Sequence, residues 1–132
     1  MAEIREIRLS RLRLDPINPR LDDGKESQRQ ALTAMMEAQG TKLIALARDI
    51  SKQGLSPIER FLVVAADDEP SDFVVLEGNR RLTALKLLLN PDLADATLGK
   101  SAVKTLRELA TDLQIKANTP VHCAIVESRD EA

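Results

Sequence analysis

The sequence predicts an α+β fold in which helices surround a small mixed β-sheet. Two observations carry this. Short apolar runs bounded by turn residues, such as Phe73-Val-Val-Leu76 and Val121–Val126, have the length and branching of strands. Between them lie segments whose apolar residues recur at helical spacing, such as Leu43, Leu46, Ala47 and Ile50. At 132 residues the chain fits one domain, residues 1–132, large enough to bury a core. Aromatic residues make up 2%, Phe61 and Phe73 alone, so aliphatic side chains must build that core.

Ile4–Leu9 reads as a first strand with one apolar face, and Leu12 and Leu14 continue the pattern until Asp15-Pro-Ile-Asn-Pro19 breaks it. Ser27 is a candidate N-cap for a helix through Ala31, Leu32, Met35 and Met36 that stops at Gly40. Thr41 is positioned to cap the next helix, which ends at Gly54. Ile58 and Phe61–Val64 read as a strand, joined by the acidic turn Asp67–Asp72 to Phe73–Leu76, a central strand buried on both faces. Leu82–Leu89 is a helix apolar nearly all round and therefore buried, stopped by Asn90-Pro91. Asp92–Lys100 reads as a linker and Ser101 as the cap of a last helix bearing Val103, Leu106, Leu109, Ala110 and Leu113. The strand Val121–Val126 follows, and Glu127–Ala132 has helix-starting character without a helix body, as expected of the N-terminal part of a longer protein.

Composition excludes several functions. The net charge of −2 is not that of a nucleic-acid-binding polycation, and two phenylalanines offer no platform for stacking bases. Arg5, Arg8, Arg11, Arg13 and Arg20 make the N-terminal segment basic, which fits a solvated strand face better than a DNA contact. Cys123 is the only cysteine, so a reducing, cytoplasmic setting is expected, and no apolar run approaches a membrane span. His122 and Cys123 are neighbours on a strand and point to opposite faces, which leaves a buried Cys and an edge His rather than a catalytic pair. The acidic turn lacks the spacing of a calcium loop.

The chemically informative place is Glu77-Gly-Asn-Arg-Arg81. A helix N-terminus carries partial positive charge and unsatisfied N–H groups, so arginines in its first turn cost up to about 1 kcal/mol each. A bound anion reverses that sign by accepting from the N–H groups and the guanidinium groups together. Gly78 sits where a phosphate must approach the backbone, and Asn79 either caps the helix or touches the ligand. Glu77, an acid beside an expected anion, is a candidate magnesium ligand or a candidate base. The alternative is that Gly78 is a plain turn residue and that the arginines pair with Glu77 or Asp72.

Four boxes bear on that choice. Asp15-Pro-Ile-Asn-Pro-Arg20 resembles the "NPR" box of the N-terminal domain of ParB-type partition proteins. Gln53-Gly-Leu-Ser-Pro-Ile58 resembles that family's Gly-x-x-x-Pro-hydrophobic box, Val75–Leu85 its "GERR" box, and Thr119–Val126 the strand that follows. The resemblance covers most of the chain and implies the ParB/sulfiredoxin fold. It also implies a nucleotide pocket for CTP or ATP with magnesium. Gly78, Asn79, Arg80 and Arg81 would be the phosphate contacts, Gly54, Ser56 and Pro57 would line the nucleotide, and Arg20 would approach from the side. Asn79 stands where the family usually has Glu. The family's metal-binding Glu-Asn and DNA-reading helix-turn-helix lie beyond its last strand.

The function expected is a ligand-gated nucleotide switch in a DNA-associated protein, with slow hydrolysis as an accompanying activity. The partners expected are a nucleoside triphosphate, a second copy of the chain, and DNA only through parts outside this chain, with no membrane. The second reading is a sulfiredoxin-like phosphotransferase with Glu77 as base, although sulfiredoxin's own chemistry needs a cysteine in the phosphate turn. The third is a DNA-contacting, nuclease-like domain, as in the label "ParB-like nuclease"; the absence of a metal-ligand cluster from the sequence counts against it.

Overall fold

The computed structural model describes residues 3–15, 25–54 and 60–128, with the side chains of residues 25–27 outside the description. Its elements run β1 (Glu3–Arg8), β2 (Leu12–Arg13), α1 (Lys25–Gln39), α2 (Lys42–Gln53), β3 (Phe61–Ala65), β4 (Phe73–Glu77), α3 (Asn79–Leu89), α4 (Asp95–Leu98), α5 (Lys100–Asp112) and β5 (Pro120–Val126). The expected α+β class and mixed sheet are what the structure has. The strands form one sheet of order β1-β5-β3-β4-β2, antiparallel at β1–β5 and β3–β4, parallel at β3–β5 and β2–β4.

Period-two alternation sorts the strand residues between the two faces. Ile7, Phe61, Val63, Phe73, Val75, Val121 and Cys123 all join the single core shared with the helices. The alternate residues Leu62, Val64, Leu76, His122 and Ala124 are half-buried. Phe73, Val74 and Val75 are all buried, as a central strand requires. In α3, Leu82, Thr83, Ala84, Leu85, Leu87 and Leu88 are buried, which explains the near-continuous apolar sequence. No helix among the described residues is long and apolar enough to cross a membrane.

Several local expectations are corrected. β1 has no continuous apolar face: Ile7 is buried but Ile4 is 50% exposed, because residues three apart on a strand point to opposite faces of the sheet. Ser27 lies inside α1, whose first described residue is Lys25, so it is not the N-cap. Thr41 occupies the N-cap of α2 but makes no capping side-chain bond. The 92–100 linker is helical, with a 3-10 turn at Pro91–Ala94 leading into α4. Gly99, not Ser101, is the N-cap of α5. β5 lies between β1 and β3, so His122 is on an interior strand rather than an edge. Cys123 is fully buried, and burial pushes its thiol pKa up to about 12.

The acidic turn between β3 and β4 is not merely solvated. Asp72 accepts from Arg13 at 3.1 Å (Nε) and 2.8 Å (Nη2) and from Arg11 at 3.2 Å, while Asp68 accepts from Arg13 at 2.9 Å. Burial raises the pKa of the Asp72 carboxyl, but the hydrogen bonds and charges of Arg13 and Arg11 outweigh it and hold the group below the ordinary aspartate value. Two of the basic N-terminal residues therefore fasten the short β2 beside β4.

Candidate functional site

The Glu77–Arg81 turn is the point where β4 passes into α3. Gly78 is the helix N-cap, with φ +110° and ψ 14°, a left-handed conformation that an L side chain rarely adopts. A Cβ there would stand 2.5 Å from Cδ1 of Phe61, so the ring of a core residue occupies the space a side chain would need. Gly78 thus has two structural requirements of its own. Its carbonyl accepts the first helical bond, from Leu82 N–H at 2.9 Å.

The first turn of α3 contains no acidic residue. The backbone N–H groups of Asn79 and Arg80 find no acceptor among the described residues, as at any helix start without a side-chain cap. Arg80 is exposed and has no ion-pair or hydrogen-bond partner among those residues. Arg81 is half-buried and already engaged. Glu77 is exposed, and no ion pair joins it to either arginine among the described residues. Asp72, the other acid considered for that pairing, is committed to Arg11 and Arg13. The plain pairing alternative therefore does not describe Arg80.

Asn79 does something the sequence did not suggest. It is the first residue of α3 and makes no capping bond. Its Oδ1 accepts from the Asp15 N–H at 3.0 Å, and its Nδ2 donates to the Val75 carbonyl at 2.9 Å. The side chain ties the exit of β2 to the turn between β4 and α3. Its own carbonyl accepts from the hydroxyl of Thr83, a fully buried polar residue, at 2.8 Å. The amide is therefore occupied structurally, and what Asn79 offers to an anion is its main-chain N–H. A second clasp lies nearby: Gln28 accepts from Leu14 N–H at 2.9 Å and donates to Leu14 C=O at 2.8 Å, fixing β2's exit against α1. Such bonds join distant parts of the chain and leave no local pattern to read.

The remaining candidates divide. Gly54 closes α2, with φ +74° and its N–H on the Ile50 carbonyl at 2.7 Å. Arg20, Ser56 and Pro57 lie outside the described residues. Among the described residues there is no cluster of three or more His, Cys, Asp or Glu able to hold a metal ion. A magnesium ion often needs only one or two carboxylates when phosphate oxygens supply other ligands, and Glu77 is the acid at this turn. In chemical terms, the turn combines main-chain N–H groups and an exposed guanidinium that have no partner among the described residues, both suited to phosphate oxygens.

No protein-family model matches the chain, and no curated protein does. Among solved structures, the chain is similar to the C-terminally truncated chromosome-partitioning protein ParB from Caulobacter crescentus, which was solved in complex with CTP-gamma-S. The TM-score is 0.48 and the identity 18%. The match covers 98% of this chain and 47% of that one, so this chain spans about half the length of the protein it resembles.

Proposed function

We propose that this domain binds the triphosphate of a nucleotide, CTP or ATP with magnesium, at the Gly78–Arg81 turn, and acts as a ligand-gated switch in a ParB-like, DNA-associated protein. The observation that carries the reading is Arg80: an exposed guanidinium without a protein partner among the described residues, in the first turn of a buried helix that holds no acid there. The helix dipole disfavours a cation at that place, and a bound anion compensates. The resemblance of the sequence boxes supports a nucleotide as the source of that anion and a larger DNA-associated protein as the setting.

In this reading Gly78, Asn79 and Arg80 present N–H groups to the phosphates, and Arg80 and Arg81 neutralise them. Glu77 holds magnesium carried in with the nucleotide, or takes a proton if the triphosphate is hydrolysed. Arg20, Gly54, Ser56 and Pro57 frame the nucleoside. Slow hydrolysis, a homodimer and DNA contact through other parts of a longer protein belong to the same proposal.

The test is calorimetric titration of CTP, ATP and GTP with and without magnesium, on the parent chain and on Arg80→Ala. Binding of at least one triphosphate is expected, with loss of detectable affinity in the variant. The melting temperature should be nearly unchanged, because exposed substitutions usually stay within about 0.5 kcal/mol. Equal affinity in the variant and the parent removes the phosphate assignment.

A further inference from the structure

A second concavity lies further along α3, lined by residues that the phosphate reading does not use. It has a volume of about 310 Å³ and is walled by Leu14, Leu32, Leu89 and Leu93, with Lys86 among them. Gln28 and Arg29 of α1 complete the wall, and no acidic residue is among the described residues that line it. Leu93 is one of the few large exposed apolar side chains, at 40%. The Gln28 amide is held by both polar groups of the Leu14 backbone, which ties this part of the wall to the exit of β2.

Lys86 is the unusual member. It is half-buried among the leucines of the second half of α3 and has no carboxylate partner among the described residues. Burial lowers its pKa, which is the sign of an ammonium group short of both water and a counter-ion. Buried charges are normally paired, because desolvation without a partner is costly. A leucine-walled cavity beside an uncompensated cation suits a ligand with an aliphatic body and an anionic head.

We propose that this cavity binds an aliphatic monocarboxylate of medium chain length, with its hydrocarbon against Leu14, Leu32, Leu89 and Leu93 and its carboxylate on Lys86. Its volume falls at the lower end of small-ligand pockets. It is about twice the ~150 Å³ apolar cavity that takes up a benzene ring, which leaves room for the body of octanoate. Transfer of the chain from water drives binding, and the charge-assisted bond to Lys86 selects the head group.

The experiment is methyl NMR on the leucine-labelled chain, titrated separately with sodium octanoate, octanol and octylammonium. Nucleotide is absent, so the result is independent of the phosphate site. Octanoate should shift the Leu14, Leu32, Leu89 and Leu93 methyls saturably, at least about tenfold more tightly than octanol, with octylammonium weakest. Lys86→Met keeps the length of the side chain and removes its charge. It should retain the parent spectrum and bring the octanoate and octanol affinities to within about twofold of each other. The proposal is overturned by equal affinity for octanoate and octanol on the parent, by non-saturable shifts, by shifts centred on other methyls, or by a folded Lys86→Met that keeps the tenfold preference. If Lys86→Met fails to fold, the three-ligand comparison on the parent still decides, and Lys86→Gln replaces it as the second arm.

Discussion

Replacing Gly78 by alanine tests the site's architecture without any ligand. The new Cβ meets Cδ1 of Phe61 at 2.5 Å and Cε1 at 3.0 Å, and Phe61 is only 3% exposed, so its ring has little room to retreat. Two costs combine. Holding an L residue in a sparsely populated left-handed conformation costs about 1–3 kcal/mol. Overpacking a core contact costs about 1–3 kcal/mol more. The expected loss is therefore about 2–6 kcal/mol, a large share of the roughly 5–15 kcal/mol that holds a typical domain together. Urea unfolding followed by circular dichroism should show the midpoint falling by roughly 1–3 M, at a slope of about 2 kcal/mol/M that stays unchanged. Gly54→Ala is the internal control. It also has positive φ, +74°, but nothing among the described residues lies within 4 Å of its added methyl, so it should lose only the backbone share. Adding Phe61→Leu to Gly78→Ala should recover part of the loss, as contacting residues couple in a double-mutant cycle. If Gly78→Ala and Gly54→Ala unfold at the same midpoint, the close approach to Phe61 does not constrain this turn.

Three further outcomes are expected. Glu77→Gln should reduce any nucleotide hydrolysis by roughly two to four orders of magnitude with binding retained if Glu77 is a base; if the parent hydrolyses little, the change should appear in the magnesium dependence of binding, and robust turnover unaffected by it removes Glu77 from both roles. Asp72→Asn should destabilise the fold by about 1–3 kcal/mol at neutral pH, since it removes the charge that meets the Arg13 guanidinium at 2.8 Å, on a side chain only 15% exposed. Because the folded Asp72 pKa is depressed, its contribution is complete above the ordinary carboxylate pKa of about 4 and disappears as pH falls through the lower folded value, so melting curves of parent and variant should converge in acid. Cys123, with its thiol pushed up to about 12 and no exposed surface, should resist maleimide in the native state at pH 8 and react only on unfolding; rapid native labelling contradicts its place in the core.

What could be read from the sequence divides along the range of the interaction. The strands from Phe61 to Ala65 and from Phe73 to Glu77 were legible because burial on a pleated sheet demands short branched runs, and α3 was legible because a helix buried nearly all round must be apolar nearly all round. The turn at Gly78 followed from those two neighbours and from arginines placed where acids normally sit. The roles of Asn79 and Gln28 were not legible: each amide bonds main-chain groups remote in sequence, Asp15 for one and Leu14 for the other. The insertion of β5 between β1 and β3 was hidden for the same reason, since no local pattern names a distant strand's neighbour. Helix starts at Lys25 and Lys100 were misread because serines are common near helix starts, whereas these helices begin before Ser27 and Ser101.

The pairing of β1 with β5 sets the order in which this domain is able to assemble. Glu3 lies opposite Ile125 and Arg8 opposite Pro120, so the only described sheet neighbour of β1 is β5, which is distant from it in sequence. During synthesis the β3–β4 hairpin and the helices that follow emerge with contacts within reach. β1 waits, its hydrogen-bonding edge unsatisfied, until β5 has left the ribosome. Closing so long a loop has an entropic cost that grows only with the logarithm of its length, but the search makes folding slow. During that interval an unpaired strand with Ile4 and Ile7 is open to pairing with other chains. The regular Glu-Ile-Arg-Glu-Ile-Arg alternation of Glu3–Arg8 places charges between the two isoleucines, a composition that keeps a waiting edge in solution.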